Sequence, residues 1–401
     1  MSESAFVLPF TPFKLELGFD KTGVQRLLVA AFDLGCSDIR AQSGDYFSVF
    51  FKRKWYPFTT RALEHTEVEK VLTILAGPTA VSRLGNGDEI DEAPEFFRED
   101  AHRVRSRYRL NAVAARVGNT PNGISLILRT ISNDLPEMGK QGFADDLAEG
   151  LLPTRGLVLV AGPTGSGKTT AIASALHERL KEQPAPSILT YEDPDEYNYG
   201  MVGLGRGPLV SQVVIRKHIK DWSRAGPTAM RRKGDLILMG EVRDRESADA
   251  TIEMAITGHG VYATIHADTP DETVFRIVEM FPDESRPAAA SKLLGSLRTI
   301  CAQKLILTKS NRVVPIRSWI LFDSEIKEEM SSPEWPYPTW GRYVRQHLRK
   351  TKTDFASQCI PLIQQGEIDA AMFKEITLMG RAEAQRFFDE AMATQSLEEA
   401  A

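Results

Sequence analysis

Cysteine is scarce: Cys36, Cys301 and Cys359 stand far apart, so no Cys-x-x-Cys pair is present to hold zinc and no disulfide framework is suggested. That usage fits a reducing compartment. Long apolar runs are missing as well, since none approaches the ~18 residues of a membrane span. The first apolar cluster, residues 27–32, is too short and broken for a secretory leader, and Glu3 stands near the start where a basic lead would be expected. A cytoplasmic protein, at most peripheral to a membrane, is expected. Basic charge is not in excess: 49 Lys and Arg face 54 Asp and Glu, a net charge of -5, which gives no global attraction to nucleic acid or anionic lipid. A local basic patch stays compatible with that balance. Disorder and low complexity do not fit 42% hydrophobic and 26% charged residues.

What is present falls into two textures, as 401 residues lead one to expect. Residues 1–135 mix a helix at 22–34, an alternating strand at 47–51, a helix at 67–75 and strands at 103–110 and 124–131, the pattern of a small α+β domain. Residues 136–153 contain Pro136, Gly139, Gly142, Gly150 and Pro153 and predict a linker with one short helix. Residues 154–401 form the second domain. Its apolar runs at 157–161, 188–191, 236–239, 261–266 and 315–322 alternate with amphipathic helices, which predicts an α/β domain with a parallel sheet. From Asp354 the chain reads as helices with a frayed acidic end at Glu398 and Glu399. Parallel sheets of this kind bind ligands beyond the carboxyl ends of their strands.

There the chemistry gathers. Gly162, Pro163, Thr164, Gly165, Ser166, Gly167, Lys168 and Thr169 match G-x-x-x-x-G-K-[ST] directly after an apolar run, and Thr170 follows. Ile172, Leu176 and Leu180 recur at four-residue spacing, so the motif opens a helix. Glycines let the backbone wrap a phosphate, N–H groups at the helix start point at it, and Lys168 neutralises β/γ charge. Thr169 offers a hydroxyl to Mg²⁺. The predicted ligands are ATP and Mg²⁺, and the predicted chemistry is phosphoanhydride hydrolysis.

Three acidic or basic groups surround the loop. The run Leu236, Ile237, Leu238, Met239 ends at Gly240 and Glu241, one residue beyond the place where many phosphate-loop enzymes hold a magnesium-binding Asp. Glu241 is therefore the candidate that orients and activates the attacking water. Glu192, Asp193, Asp195 and Glu196 follow another strand, with Pro194 fixing the turn. Taken alone the cluster reads as a solvated acidic loop; beside the other motifs its hard oxygens suit Mg²⁺ through its waters, which marks Glu192 and Glu196, and more weakly Asp193. His266 ends the strand at 261–266, where it is able to reach a γ-phosphate.

Four ordered boxes, GPTGSGKTT, YEDPDEY, LILMGEVRD and TGHGVYATIHA, resemble the secretion-superfamily ATPases that power type IV pili and type IV secretion. GCSDIRAQSGD, RYRLNA and LILRTI extend the likeness into the first domain, so that it spans roughly residues 30–310. The resemblance implies a RecA-like ATPase domain behind a smaller α+β domain, and a six-membered ring of identical chains with nucleotide bound between domains of adjacent protomers. It also implies docking on the cytoplasmic face of a membrane-embedded machine. Arg103, Arg105, Arg107 and Arg109 alternate along one strand face, and Arg107, Arg109 and Arg129 occupy positions similar to the family's nucleotide-reaching arginines.

Departures narrow the subfamily. The four-cysteine zinc insert of pilus-assembly members is absent, and 324–329 reads SEIKEE where retraction members carry Ala-Ile-Arg-Asn-Leu. The pattern is most similar to type IVB secretion and conjugation ATPases, with pilus retraction as the alternative. An added segment, 331–352, holds Trp335, Tyr337, Trp340 and several basic residues and fits either a docking surface or an extra packed element. A nucleic-acid-dependent RecA-like motor is the rival from another class; the net charge disfavours it and the basic stretch 342–352 keeps it open. A GTPase is disfavoured because no Asn-Lys-x-Asp is present.

Overall fold

Period-two patterning in the first part of the chain produces an antiparallel sheet with helices against one face. The computed structural model describes residues 8–15, 20–52, 54–97, 105–118, 120–131, 134–182, 184–201 and 210–398. It divides into two compact units, 1–134 and 135–401. The first contains α1 (Lys21–Asp33), β1 (Asp38–Gln42), β2 (Tyr46–Phe51), β3 (Lys54–Ala62), α2 (His65–Ala76), α3 (Ala80–Gly85), β4 (Ile90–Glu92), β5 (Glu95–Phe97), β6 (Arg105–Val117) and β7 (Thr120–Ile131). The strand order is β3-β2-β1-β7-β6-β4, with β5 also on β6. Leu126 and Leu128 of β7 enter the core with Val24, Leu27 and Leu28 of α1, while Ile127 and Arg129 face out. Asp20 starts α1 by accepting from Gly23 N at 2.9 Å, and buried Tyr108 ties β6 to α1 through its hydroxyl on Leu28 O at 2.8 Å. The predicted strand at 103–110 begins at Arg105; Arg103 and the Arg105 side chain lie outside the described residues.

The second unit holds α4 (Asp145–Gly150), β8 (Gly156–Ala161), α5 (Lys168–Leu180), β9 (Ile188–Glu192), β10 (Val210–Val214), α6 (Ala225–Arg231), β11 (Leu236–Val242), α7 (Arg245–Ile256) and β12 (Gly260–Ile265). It continues with α8 (Pro270–Glu279), α9 (Arg286–Ser296), β13 (Leu297–Leu307), β14 (Val313–Leu321), α10 (Ser324–Met330), α11 (Trp340–Thr351), α12 (Phe355–Gln364), α13 (Ala370–Thr377) and α14 (Arg381–Glu398). The sheet runs β10-β9-β11-β12-β8-β13-β14, parallel except for the last pair. Its five parallel strands from β13 to β9 have the RecA-like order. The run 315–322, expected in the parallel sheet, is instead the returning arm of an antiparallel hairpin with β13. A tight turn at 308–312, where Thr308 N donates to Arg312 O at 2.9 Å, leaves no room for a crossover helix.

Both faces of β8 are buried, so its residues serve two cores. Leu157, Leu159 and Ala161 pack among α7, α8, α9 and the C-terminal helices; Val158 and Val160 pack with Ile172 and Leu176 of α5. Residues 136–153, expected as a linker, belong to that second core. Met138, Leu147 and Leu151 are buried in it, and Tyr262 Oη donates to Leu151 O at 3.0 Å. One helix is too narrow to cover that face, and this segment completes the cover.

The added segment 331–352 is likewise packed. Trp340, Tyr343, Val344 and Leu348 on one stripe of α11 are buried against the core, α11 lies on α8, and Trp340 Nε1 donates to Met330 O at 2.8 Å. Its outer face keeps Arg342, Arg345, Arg349 and Lys350 exposed. Replacing Trp340 with Ala should therefore cost about 3–5 kcal/mol of stability. Denaturant unfolding checks this, and an unchanged midpoint would return the segment to a surface role alone.

Candidate active site

The loop after β8 is shaped by glycines that admit no side chain. Gly162 has φ 150°, and a Cβ there would lie 2.3 Å from Gln303 O; Gly167 has φ 82° and ends the turn as the cap of α5. Lys168 is nearly buried, with its Nζ donating to Gly162 O at 2.8 Å and Pro163 O at 3.0 Å. Burial lowers its pKa, and the charges of Glu241 and Glu196 offset part of that loss. Pro163, Thr164 and Gly165 form the exposed crest of the loop, Ser166 is buried beneath it, and Thr169 and Thr170 are half-buried at the start of α5. Thr170 Oγ1 lies 2.9 Å from Tyr197 Oη, which ties the loop to the acidic box.

Strand order explains how distant residues meet. β12 lies between β8 and β11. His266, just past β12, is therefore set between the phosphate loop and the end of β11, with its Nε2 3.2 Å from Glu241 Oε1. A register shift between Met239 and Val242 adds one residue on β11, a bulge that re-aims Glu241. Gly240 makes the bulge possible: a Cβ there would stand 3.2 Å from both Glu192 Cα and Tyr191 O. Thr264 Oγ1 secures it from β12 by donating to Gly240 O at 2.5 Å. Glu241 and His266 line a cleft of ≈ 410 Å³ together with Arg243, Glu272, Phe275 and Arg276.

The acidic box divides by burial. Glu192, at the end of β9, is 2% exposed, and burial pushes its carboxyl up to about 8. Its Oε1 and the Ser166 Oγ are buried without a hydrogen-bond partner among the described residues. Glu196 is exposed. Asp193 binds Arg216 and lies 3.8 Å from Arg243, so it fastens the β9 and β11 ends together. A buried, unsatisfied carboxylate oxygen and a threonine hydroxyl at a helix start are hard donors of the kind Mg²⁺ takes.

The arginines belong to the first unit. Arg109 and Arg129 are cross-strand partners of β6 and β7. Arg129 Nε lies 3.1 Å from Asp38 Oδ1, Arg109 Nη2 lies 3.3 Å from Asp91 Oδ2, and Arg107, 7% exposed, has Nε 3.9 Å from Glu95 Oε2. The strand face is thus not a stack of uncompensated like charges. Neighbouring strands supply acids that the spacing along β6 alone does not reveal.

Sequence reasoning missed Gln303 and Arg317, both buried behind the phosphate loop. A cation inside the apolar run 315–322 was the available signal.

Comparison with known proteins agrees with this architecture. The family described as Type II/IV secretion system protein matches residues 100–359. The ATPase DotB of Legionella pneumophila is 31% identical, with a TM-score of 0.79 over 91% of this chain and 98% of that one. The pilus retraction motor PilT, solved with bound ADP, shares the fold at a TM-score of 0.73 and 24% identity over 89% of this chain and 97% of that one. The type IV pilus retraction ATPase PilT of Pseudomonas aeruginosa is 35% identical over 201 residues, 50% of this chain and 56% of that protein. The chain spans about half the length of the curated relatives it matches. With well over half its length matched and a RecA-like second unit behind a smaller α+β unit, the chain belongs to the Type II/IV secretion system protein family.

Proposed function

We propose that the chain is an ATP hydrolase that works as a homohexamer on the cytoplasmic face of an inner-membrane type IV secretion or conjugation apparatus of the type IVB kind. The observation that carries the chemistry is the Glu241–His266 contact of 3.2 Å beside Lys168 and its loop. Lys168 and the loop N–H groups hold the β- and γ-phosphates. Glu241 takes the proton of the water that attacks the γ-phosphorus, and His266 holds the carboxylate toward that water. Glu196 adds negative charge at the rim and helps keep Lys168 protonated. Thr169 and Glu192 would hold Mg²⁺, which when bound neutralises phosphate charge.

The match to the Type II/IV secretion system protein family, with the likeness to the ATPase DotB over 91% of the chain, supports the secretion reading. Pilus retraction is the second reading, favoured by the 35% identity with PilT over half the chain. Among the described residues no helix is long and apolar enough to cross a membrane. No direct nucleic-acid partner is proposed, and stimulation of hydrolysis by single-stranded DNA would count against that.

Arg107, Arg109 and Arg129 are assigned to the neighbouring protomer's nucleotide. Glu241→Gln and Arg109→Ala chains, each inactive alone, should regain part of the lost ATPase activity when co-expressed. Some mixed interfaces then pair an intact Glu241 site with an intact Arg109 donor. No recovery in mixed rings, together with an Arg109→Ala chain that hydrolyses ATP normally, would remove the trans role and leave that strand as a charged surface.

A further inference from the structure

We propose that Gln303 and Arg317 are positioning residues that set the phosphate loop from behind and thereby tune nucleotide affinity. β13 runs parallel to β8 with Ala302 opposite Ala161, which brings residue 303 level with Gly162. Gln303 is 3% exposed, and its side chain works at both ends. Nε2 donates to Ser166 O at 2.6 Å, and Oε1 accepts from Arg317 Nε at 2.7 Å. The opposite amide orientation would set NH₂ against the guanidinium N–H and oxygen against oxygen, so the network fixes one orientation. Only an amide satisfies both neighbours.

The consequence follows from peptide geometry. A trans peptide points its C=O and N–H in opposite directions. Gln303 draws the Ser166 carbonyl to the rear of the loop, so the N–H of the same peptide, that of Gly167, is turned toward the cradle. Two loop glycines close on the same residue: a Cβ at Gly167 would meet Gln303 Nε2 at 2.8 Å, and one at Gly162 would meet Gln303 O at 2.3 Å. The shape of the loop is therefore cast against Gln303.

Arg317 holds Gln303 in turn. The two are register partners across β13 and β14. Arg317 is 5% exposed, its Nη1 donates to Gly142 O at 2.9 Å, and its guanidinium sits 4.0 Å over the Phe143 ring centroid. Among the described residues no carboxylate forms an ion pair with it. Burial draws its pKa down to about 10, which still leaves it charged at neutral pH. A buried cation whose partners are neutral is costly. Its natural counter-charge is an anion in the adjoining loop, which it favours both as a charge and by polarising the Gln303 amide.

This inference rests on the phosphate-loop reading, and its test separates the two. Equilibrium binding of fluorescent ADP is measured for the full chain, for Gln303→Met, Gln303→Glu and Arg317→Lys, and for Lys168→Ala, alongside thermal unfolding. Gln303→Met removes both hydrogen bonds. Gln303→Glu keeps the acceptor for Arg317 and loses the donor to Ser166 O, so it reads the same contact if the Met chain does not fold. Each Gln303 variant should raise Kd about tenfold, the scale of one buried hydrogen bond. KM for ATP should rise with it, with kcat changed much less. Wild-type Kd in a folded Gln303 variant, with binding lost in Lys168→Ala, would overturn the proposal. Wild-type Kd in Lys168→Ala would instead overturn the loop assignment beneath it.

Discussion

A Glu241→Gln chain is expected to bind ATP as the wild type does and to hydrolyse it ~10²-fold or more slowly, the scale of a lost general base. Gln matches Glu in size, so the bulge at Gly240 and its packing against Glu192 stay intact. What the variant lacks is a basic oxygen beside His266 Nε2, now 3.2 Å from Glu241 Oε1. Loss of one carboxylate charge also removes an influence that favours protonated Lys168. That effect is small beside the chemical one, because Glu196 acts on Lys168 in the same sense. Nucleotide binding and phosphate release, measured on one preparation, separate the steps. A chain that lost binding yet kept its turnover per bound nucleotide would move the catalytic role to Glu192 or Glu196.

The glycine-rich loop after β8 was legible in the sequence because its glycines answer to backbone geometry that no other residue adopts cheaply. The runs 236–239 and 261–266 were legible because strands buried on both faces are continuously apolar. What could not be read was their order in space. That β12 separates β8 from β11, and so brings His266 to Glu241, is a property of topology. β13 escaped notice because Thr299, Gln303 and Lys304 interrupt its apolar run, and β10 because Ser211 and Gln212 do the same. The glycines and prolines of 136–153 signalled a linker, yet Met138, Leu147 and Leu151 cover a sheet face that one helix leaves bare.

Burial also separates residues that look alike in sequence. Glu192 and Glu196 share one acidic box, but the first is 2% exposed with an unsatisfied oxygen and the second is at the surface. The arginines on β6 and β7 are paired by Asp91, Glu95 and Asp38 from β4, β5 and β1, acids that the alternation along one strand does not reveal.

Replacing Lys168 with Ala should abolish both tight nucleotide binding and turnover. The ammonium is held by Gly162 O and Pro163 O at the mouth of the loop, where burial already lowers its pKa. A cation kept in so dry a place at that cost is matched to an anion of high charge. Without it, phosphates bound in the loop would meet the negative charges of Glu241 and Glu196 with no counter-ion from the loop. The direct measurement is phosphate release from ATP with Mg²⁺ by the wild-type and Lys168→Ala chains, with nucleotide affinity measured on the same samples. The account predicts steady release and saturable binding for the wild type and neither for the variant; release by the variant at near the wild-type rate would contradict it.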